Sequence, residues 1–193
     1  MRPILICTVL IFAFVTPATA HPGIVSAMSF AAGVAHPLSG LDHLAAMVTV
    51  GMWAAVRSKS ALWVWPLTFV AVMLVGGVLG LAQIPLPFVE PGILASVVVL
   101  GLMVALAVDP PVWAGAALIG VFALLHGHAH GAEVAHNVNG LGYVAGFVLA
   151  TAVLHAIGVG LALTLQRLAP GPVNRHVGVL GVAVGLGLSA GVL

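Results

Sequence analysis

The chain carries too few charges to hold a soluble surface. Nine of its 193 residues are formally charged, five Lys/Arg and four Asp/Glu, whereas a typical soluble domain devotes about a quarter of its residues to charge. With 62% hydrophobic residues and a mean hydropathy of +1.27, lipid is the solvent this composition fits. The expected fold class is therefore all-α: a polytopic membrane protein, folded as a compact bundle. The net charge of +1 implies no acidic macromolecular partner, and no basic tract suits nucleic acid.

The first 20 residues read as a signal peptide. Arg2 supplies a positive start, residues 4–15 form an apolar run too short to span, and Ala18-Thr19-Ala20 is a small-x-small cleavage site. Cleavage after Ala20 would leave residues 21–193 as one transmembrane domain, with His21 at its N-terminus on the outer side. The only cysteine, Cys7, falls in this leader, so the mature chain would have no disulfide and no thiolate metal site.

A bilayer core of about 30 Å needs roughly 20 apolar residues per helix. Six spans are expected, near residues 38–56, 62–82, 92–108, 112–131, 141–165 and 177–193, with a short interfacial or re-entrant helix near 24–35. Pro-rich and polar stretches separate them, among them Asp109-Pro110-Pro111. With His21 outside, Arg57, Lys59, Arg167 and Arg175 all face the cytoplasm, as the positive-inside rule requires. In a bacterium this places the chain in the inner membrane with a periplasmic N-terminus. Glycines such as Gly76, Gly77, Gly158, Gly160, Gly181 and Gly185 punctuate the spans. Close helix packing through small residues explains them better than helix mobility does.

Histidine is the outlier. There are nine, as many as all charged residues together, and lipid-buried chains have little structural use for so many imidazoles. Two segments concentrate them with acids: His36-Pro37-Leu38-Ser39-Gly40-Leu41-Asp42-His43, and His126-Gly127-His128-Ala129-His130-Gly131-Ala132-Glu133. His43 lies 14 residues before Arg57, and His126 lies 14 residues after Val112. At 1.5 Å per residue both sit about 21 Å above the cytoplasmic edge. The two spans run in opposite directions, so both motifs occupy the same outer half of the membrane, which suggests one shared site.

Helical spacing refines this. At about 100° per residue, His126, His130 and Glu133 fall on one stripe while His128 points the opposite way. Pro37 and Gly40 are expected to loosen the first motif, as broken helices do near transporter sites. Imidazole favours Ni, Zn and Cu, and carboxylate adds charge compensation. His36, Asp42, His43, His130 and Glu133 would supply four to six exchangeable ligands, and two carboxylates would neutralise a divalent ion in low dielectric.

Other polar groups read less sharply. His128 either lines the path or faces a neighbouring helix. Glu90, just before Pro91, fits both a helix N-terminal charge and an outer ligand that attracts cations. His21, with the α-amine that cleavage would free, is a further outer ligand. His155 fits a helix–helix hydrogen bond as well as a relay. His176 and His136 read as loop-side groups, and Asp109 as a turn.

The segment from His36 through Asp42 and His43 to Met47 resembles the first-helix signature of the HupE/UreJ family, and the segment from His126 to Glu133 resembles that family's fourth-helix signature. The leader, the His21-Pro22-Gly23 start and the six-span layout match along essentially the whole chain. Leu125 departs from the family pattern, which often has Phe there; an apolar exchange affects packing more than ligation. The resemblance implies a nickel or cobalt permease serving hydrogenase or urease maturation, with His36, Asp42, His43, His126, His130 and Glu133 as the metal pathway.

The expected function is thus transport of Ni²⁺, or Co²⁺, into the cell by a secondary carrier or selective channel. The expected partners are the ion, the bilayer and a downstream metallochaperone, with self-association left open. No organic cofactor is expected, and the absence of a Walker-type run means that the chain does not itself use ATP. Two other classes compete. An intramembrane metalloenzyme would draw on the Glu133-x-x-His136 spacing, of which there is one copy, and the protease pattern His-Glu-x-x-His is absent. A membrane metal sensor or chaperone would be expected to carry a soluble domain.

Overall fold

The computed structural model describes residues 29–133, 140–168 and 173–193. The expected leader, its cleavage site, His21 and His136 lie outside these residues. Seven helices and no strands occur among them: α1 (Phe30–Ser39), α2 (Leu41–Ala55), α3 (Lys59–Leu81), α4 (Val89–Ala105), α5 (Val112–Glu133), α6 (Gly140–Leu168) and α7 (Val173–Ser189).

Helices α3, α5 and α6 are long and apolar enough to cross a membrane, with mean hydropathies of 2.1, 1.5 and 2.1 over their most apolar windows. Helices α2, α4 and α7 are apolar but shorter, at 15, 17 and 17 residues. Their lengths correspond to roughly 22–26 Å at 1.5 Å per residue. The outward faces are apolar throughout. Trp63, Leu67, Val78, Trp113 and Val121 are all at least 60% exposed, an arrangement that water disfavours and acyl chains accept.

The first expected span is not one helix. It divides at Gly40, whose backbone is extended (φ −101°, ψ 120°), into α1 and α2. Helix α1 starts at Ser29, whose Oγ accepts the amide of Ala32 at 3.1 Å as an N-cap. It carries Pro37 in its last turn, where the ring removes one backbone donor and weakens continuation. Gly40 then caps α2, accepting the amide of Leu44. A side chain at Gly40 would press on Asp42 Oδ1 and His43 Nδ1, so the missing Cβ makes room for that pair. The short helix expected near 24–35 overlaps α1, which among the described residues begins at Phe30 and continues past residue 35 to Ser39.

Glycines carry the helix packing. Helices α3 and α5 lie against one another through Gly76, Gly80, Gly127 and Gly131, each of which meets backbone of the other helix. Gly51 and Gly158 do the same between α2 and α6, Gly33 and Gly146 between α1 and α6, and Gly101 and Gly178 between α4 and α7. Backbone-to-backbone approach of this kind is available only without a Cβ, and in lipid it supplies the van der Waals contact that holds helices together. Gly160 is different and faces open space.

One end of the bundle is tied by tryptophan. Trp53 on α2 and Trp65 on α3 have ring centroids 4.2 Å apart, and both are fully buried. Trp53 Nε1 donates to the carbonyl of Val108 at 3.0 Å and Trp65 Nε1 donates to that of Val112 at 2.9 Å. These bonds satisfy the indole N–H groups and clamp the turn between α4 and α5. Arg57 lies 3.8 Å from Asp109 of the same turn. His36, His43, His126 and His130 gather toward the opposite end.

Candidate metal centre

The break at Gly40 places His36 at the end of α1 and Asp42 and His43 in the first turn of α2, all turned toward the last two turns of α5. His36 Nε2 lies 3.2 Å from Glu133 Oε2, and His130 Nδ1 lies 3.6 Å from the same oxygen. One ligand atom from each of His36, His130 and Glu133 falls within 4.8 Å of the other two. A single cation could therefore touch all three after small side-chain movements.

The cluster continues inward as a row of rings. The His36 and His130 centroids are 4.6 Å apart, His130 and His43 are 4.5 Å apart, and His43 and His126 are 4.8 Å apart. Exposure drops from the first two members to the three inner rings, of which the His130 side chain is 6% exposed. The Glu133 side chain is 57% exposed, that of His36 34%, that of His43 12%, and His126 is wholly buried.

Two contacts orient the inner rings. Asp42 Oδ1 accepts both the backbone amide of His43 at 2.8 Å and its ring Nδ1–H at 2.7 Å. An ionised carboxylate only accepts, so the bond assigns the proton to Nδ1 and leaves the lone pair on Nε2. At His126 the partner is Ser96 on α4, whose Oγ donates to the carbonyl of Ile93 at 2.6 Å and stands 3.0 Å from His126 Nε2. With its one proton committed to Ile93, the hydroxyl accepts from Nε2–H, and the free lone pair of His126 is on Nδ1.

Those free nitrogens are what the cluster offers. His43 Nε2, His126 Nδ1 and both ring nitrogens of His130 are buried without a hydrogen-bond partner among the described residues. Each buried unsatisfied polar atom costs about 1–3 kcal/mol, and native cores rarely keep several side by side. A row of oriented imidazole lone pairs beside two carboxylates suits a borderline divalent cation.

The other sequence candidates fall elsewhere. His128 is nearly buried on the opposite side of α5, and its Nε2 is 2.7 Å from the carbonyl of Ile84, so it ties α5 to the turn after α3. Glu90 is exposed in the first turn of α4, where its charge complements the helix N-terminus. His155 is buried on α6 away from the ligand row, and His176 is exposed on α7. Leu125 lies over Gly92 at the start of α4 and contributes packing.

Three residues enter the site that sequence spacing did not single out. Ser96 orients His126. Tyr143 and Phe147, one turn apart on α6, face His36 at 6.0 and 6.3 Å, and Phe147 lies 4.3 Å from the His130 ring. Tyr143 is the chain's only tyrosine, and its i,i+4 relation to Phe147 was the available signal for an aromatic wall.

Residues 9–188 match the family described as HupE / UreJ protein. The chain is 47% identical over 156 residues to Protein HupE of Rhizobium leguminosarum bv. viciae, covering 80% of this chain and 82% of that protein. No solved structure matches it significantly.

Proposed function

Since the chain belongs to the HupE/UreJ family, we propose that it carries Ni²⁺ or Co²⁺ across the cytoplasmic membrane to supply hydrogenase or urease maturation. His36, Asp42, His43, His126, His130 and Glu133 form the pathway. The observation that carries this reading is the row of closely spaced imidazoles, running from His36 beside the exposed Glu133, through His130 and His43, to the fully buried His126. A resident structural metal needs one closed ligand set, whereas a moving ion needs successive ligands at short intervals. Spacings of 4.5–4.8 Å between neighbouring rings suit a hand-over from one to the next.

The chain crosses the membrane six times in this reading. The broken pair α1–α2 makes the first pass, and α3 to α7 make the others. The signal peptide is removed and the mature N-terminus faces the periplasm. The glutamate mouth then opens outward, and the basic residues Arg57, Lys59, Arg167 and Arg175 face the cytoplasm. Two carboxylates compensate the charge of the ion as it leaves water.

Purified protein in sealed vesicles containing a metal-sensitive dye tests the reading. Ni²⁺ or Co²⁺ influx is expected for the unaltered chain, and little for His43→Ala. Equal flux in empty and protein-containing vesicles would overturn it.

A further inference from the structure

The ligand row does not exhaust the buried imidazoles. His155 on α6 is 2% exposed, and neither of its ring nitrogens has a hydrogen-bond partner among the described residues. Its neighbour is the ring of Phe69 on α3, fully buried and 5.1 Å away by centroid. The same Phe69 ring lies 5.7 Å from His126. A single apolar ring thus neighbours both the innermost residue of the ligand row and an isolated buried imidazole.

The position of His155 is inward. Its carbonyl packs against Gly51, eight residues along α2 from His43 toward the tryptophan-tied end, or about 12 Å of helix. Its surroundings are soft and weakly polar. One turn away on the same face of α6, the Thr151 hydroxyl reaches the thioether of Met73, which is itself one turn from Phe69 on α3. No carboxylate among the described residues is paired with His155, so a hydrogen-bonding role leaves both of its nitrogens unexplained.

We propose that His155 is a second, inner station for the transported ion, and that the Phe69 ring is the partition the ion passes between His126 and His155. This rests on the transport reading above. An outer site rich in His and carboxylate gathers the ion; a single neutral imidazole beyond an apolar ring holds it weakly and releases it toward the cytoplasmic end. Reorientation of the Phe69 ring opens the way.

The test uses the full-length protein in sealed vesicles, with Ni²⁺ as the probe, together with equilibrium Ni²⁺ binding in detergent. His155→Phe keeps the aromatic packing against Phe69 and removes the ligand nitrogens. The expected result is that influx falls about tenfold or more while equilibrium binding at the outer row stays within about twofold. His155→Cys keeps a ligand but a softer one, and is expected to restore influx with preference shifted toward Cd²⁺. Wild-type influx through His155→Phe would overturn the station, as would a parallel loss of outer binding, which would mark His155 as packing alone. Absence of influx through the unaltered protein would remove the transport reading and the station with it.

Discussion

His36 Nε2 and Glu133 Oε2 stand 3.2 Å apart, joining the last turn of α1 to the last residue of α5. The two come from motifs about a hundred residues apart, and their contact closes the cluster on the side where exposure is greatest. If this is the mouth of the path, Glu133→Ala should lower Ni²⁺ uptake about tenfold or more while the protein still inserts. Uptake assays normalised to membrane-inserted protein measure this, and normal uptake would exclude Glu133 from the pathway.

Asp42 acts through His43. Its carboxylate holds the ring by Nδ1 and so presents Nε2 to the cluster. Loss of such an orienting partner typically lowers metal affinity about 10–100-fold, and Asp42→Asn is expected within that range by equilibrium titration with Ni²⁺. Asp42→Ala, which also removes a compensating charge, should abolish uptake.

Ser96 makes the corresponding contact to His126. Ser96→Ala would leave Nε2 without its acceptor and free the ring to change tautomer. Ni²⁺ affinity should fall about tenfold, near the lower limit for an orienting partner, with little change in melting temperature. A thermal-shift measurement beside the titration separates the two effects.

His128 provides the control within the same motif. It bonds the Ile84 carbonyl and faces away from the row. His128→Ala should destabilise the protein by about 1–3 kcal/mol through the unpaired carbonyl and leave Ni²⁺ affinity unchanged. A loss of affinity without loss of stability would place His128 in the pathway instead.

Glycine substitutions should separate packing from mobility. Gly127 lies against the Met73 carbonyl, so Gly127→Leu should force α3 and α5 apart and destabilise by about 1–3 kcal/mol or more. Gly160 meets nothing within 4 Å, so Gly160→Ala should be neutral or stabilising by up to about 1 kcal/mol through helix propensity. Detergent-solubilised thermal unfolding measures both.

Much of this was legible in the residues themselves. Charge scarcity alone requires an apolar exterior, and helical spacing alone separates His126, His130 and Glu133 from His128, because both follow from local geometry. Equal distance from the cytoplasmic edge pointed His43 and His126 to one level, since helix rise is nearly constant. The break at Gly40 was only partly legible. Pro37 and Gly40 announced a weak point, but extended backbone at one residue rather than unwinding of several was set by the packing of Asp42 and His43 over the missing Cβ.

What tertiary structure alone decided is which side chains meet. Ser96 and Phe69 lie on helices α4 and α3, and nothing in their local sequence marks them apart from ordinary lipid-phase packing; the i,i+4 pair Tyr143 and Phe147 on α6 is visible in the sequence, but what it faces is not. Their roles follow from glycine-lined helix contacts that bring distant segments within a few ångströms. The residues themselves determined that the chain would hold imidazoles and carboxylates in an apolar environment, because their types and spacing are written in one dimension. The order of those groups from mouth to interior, and the tautomer that Ser96 sets at His126, depended on three-dimensional neighbours.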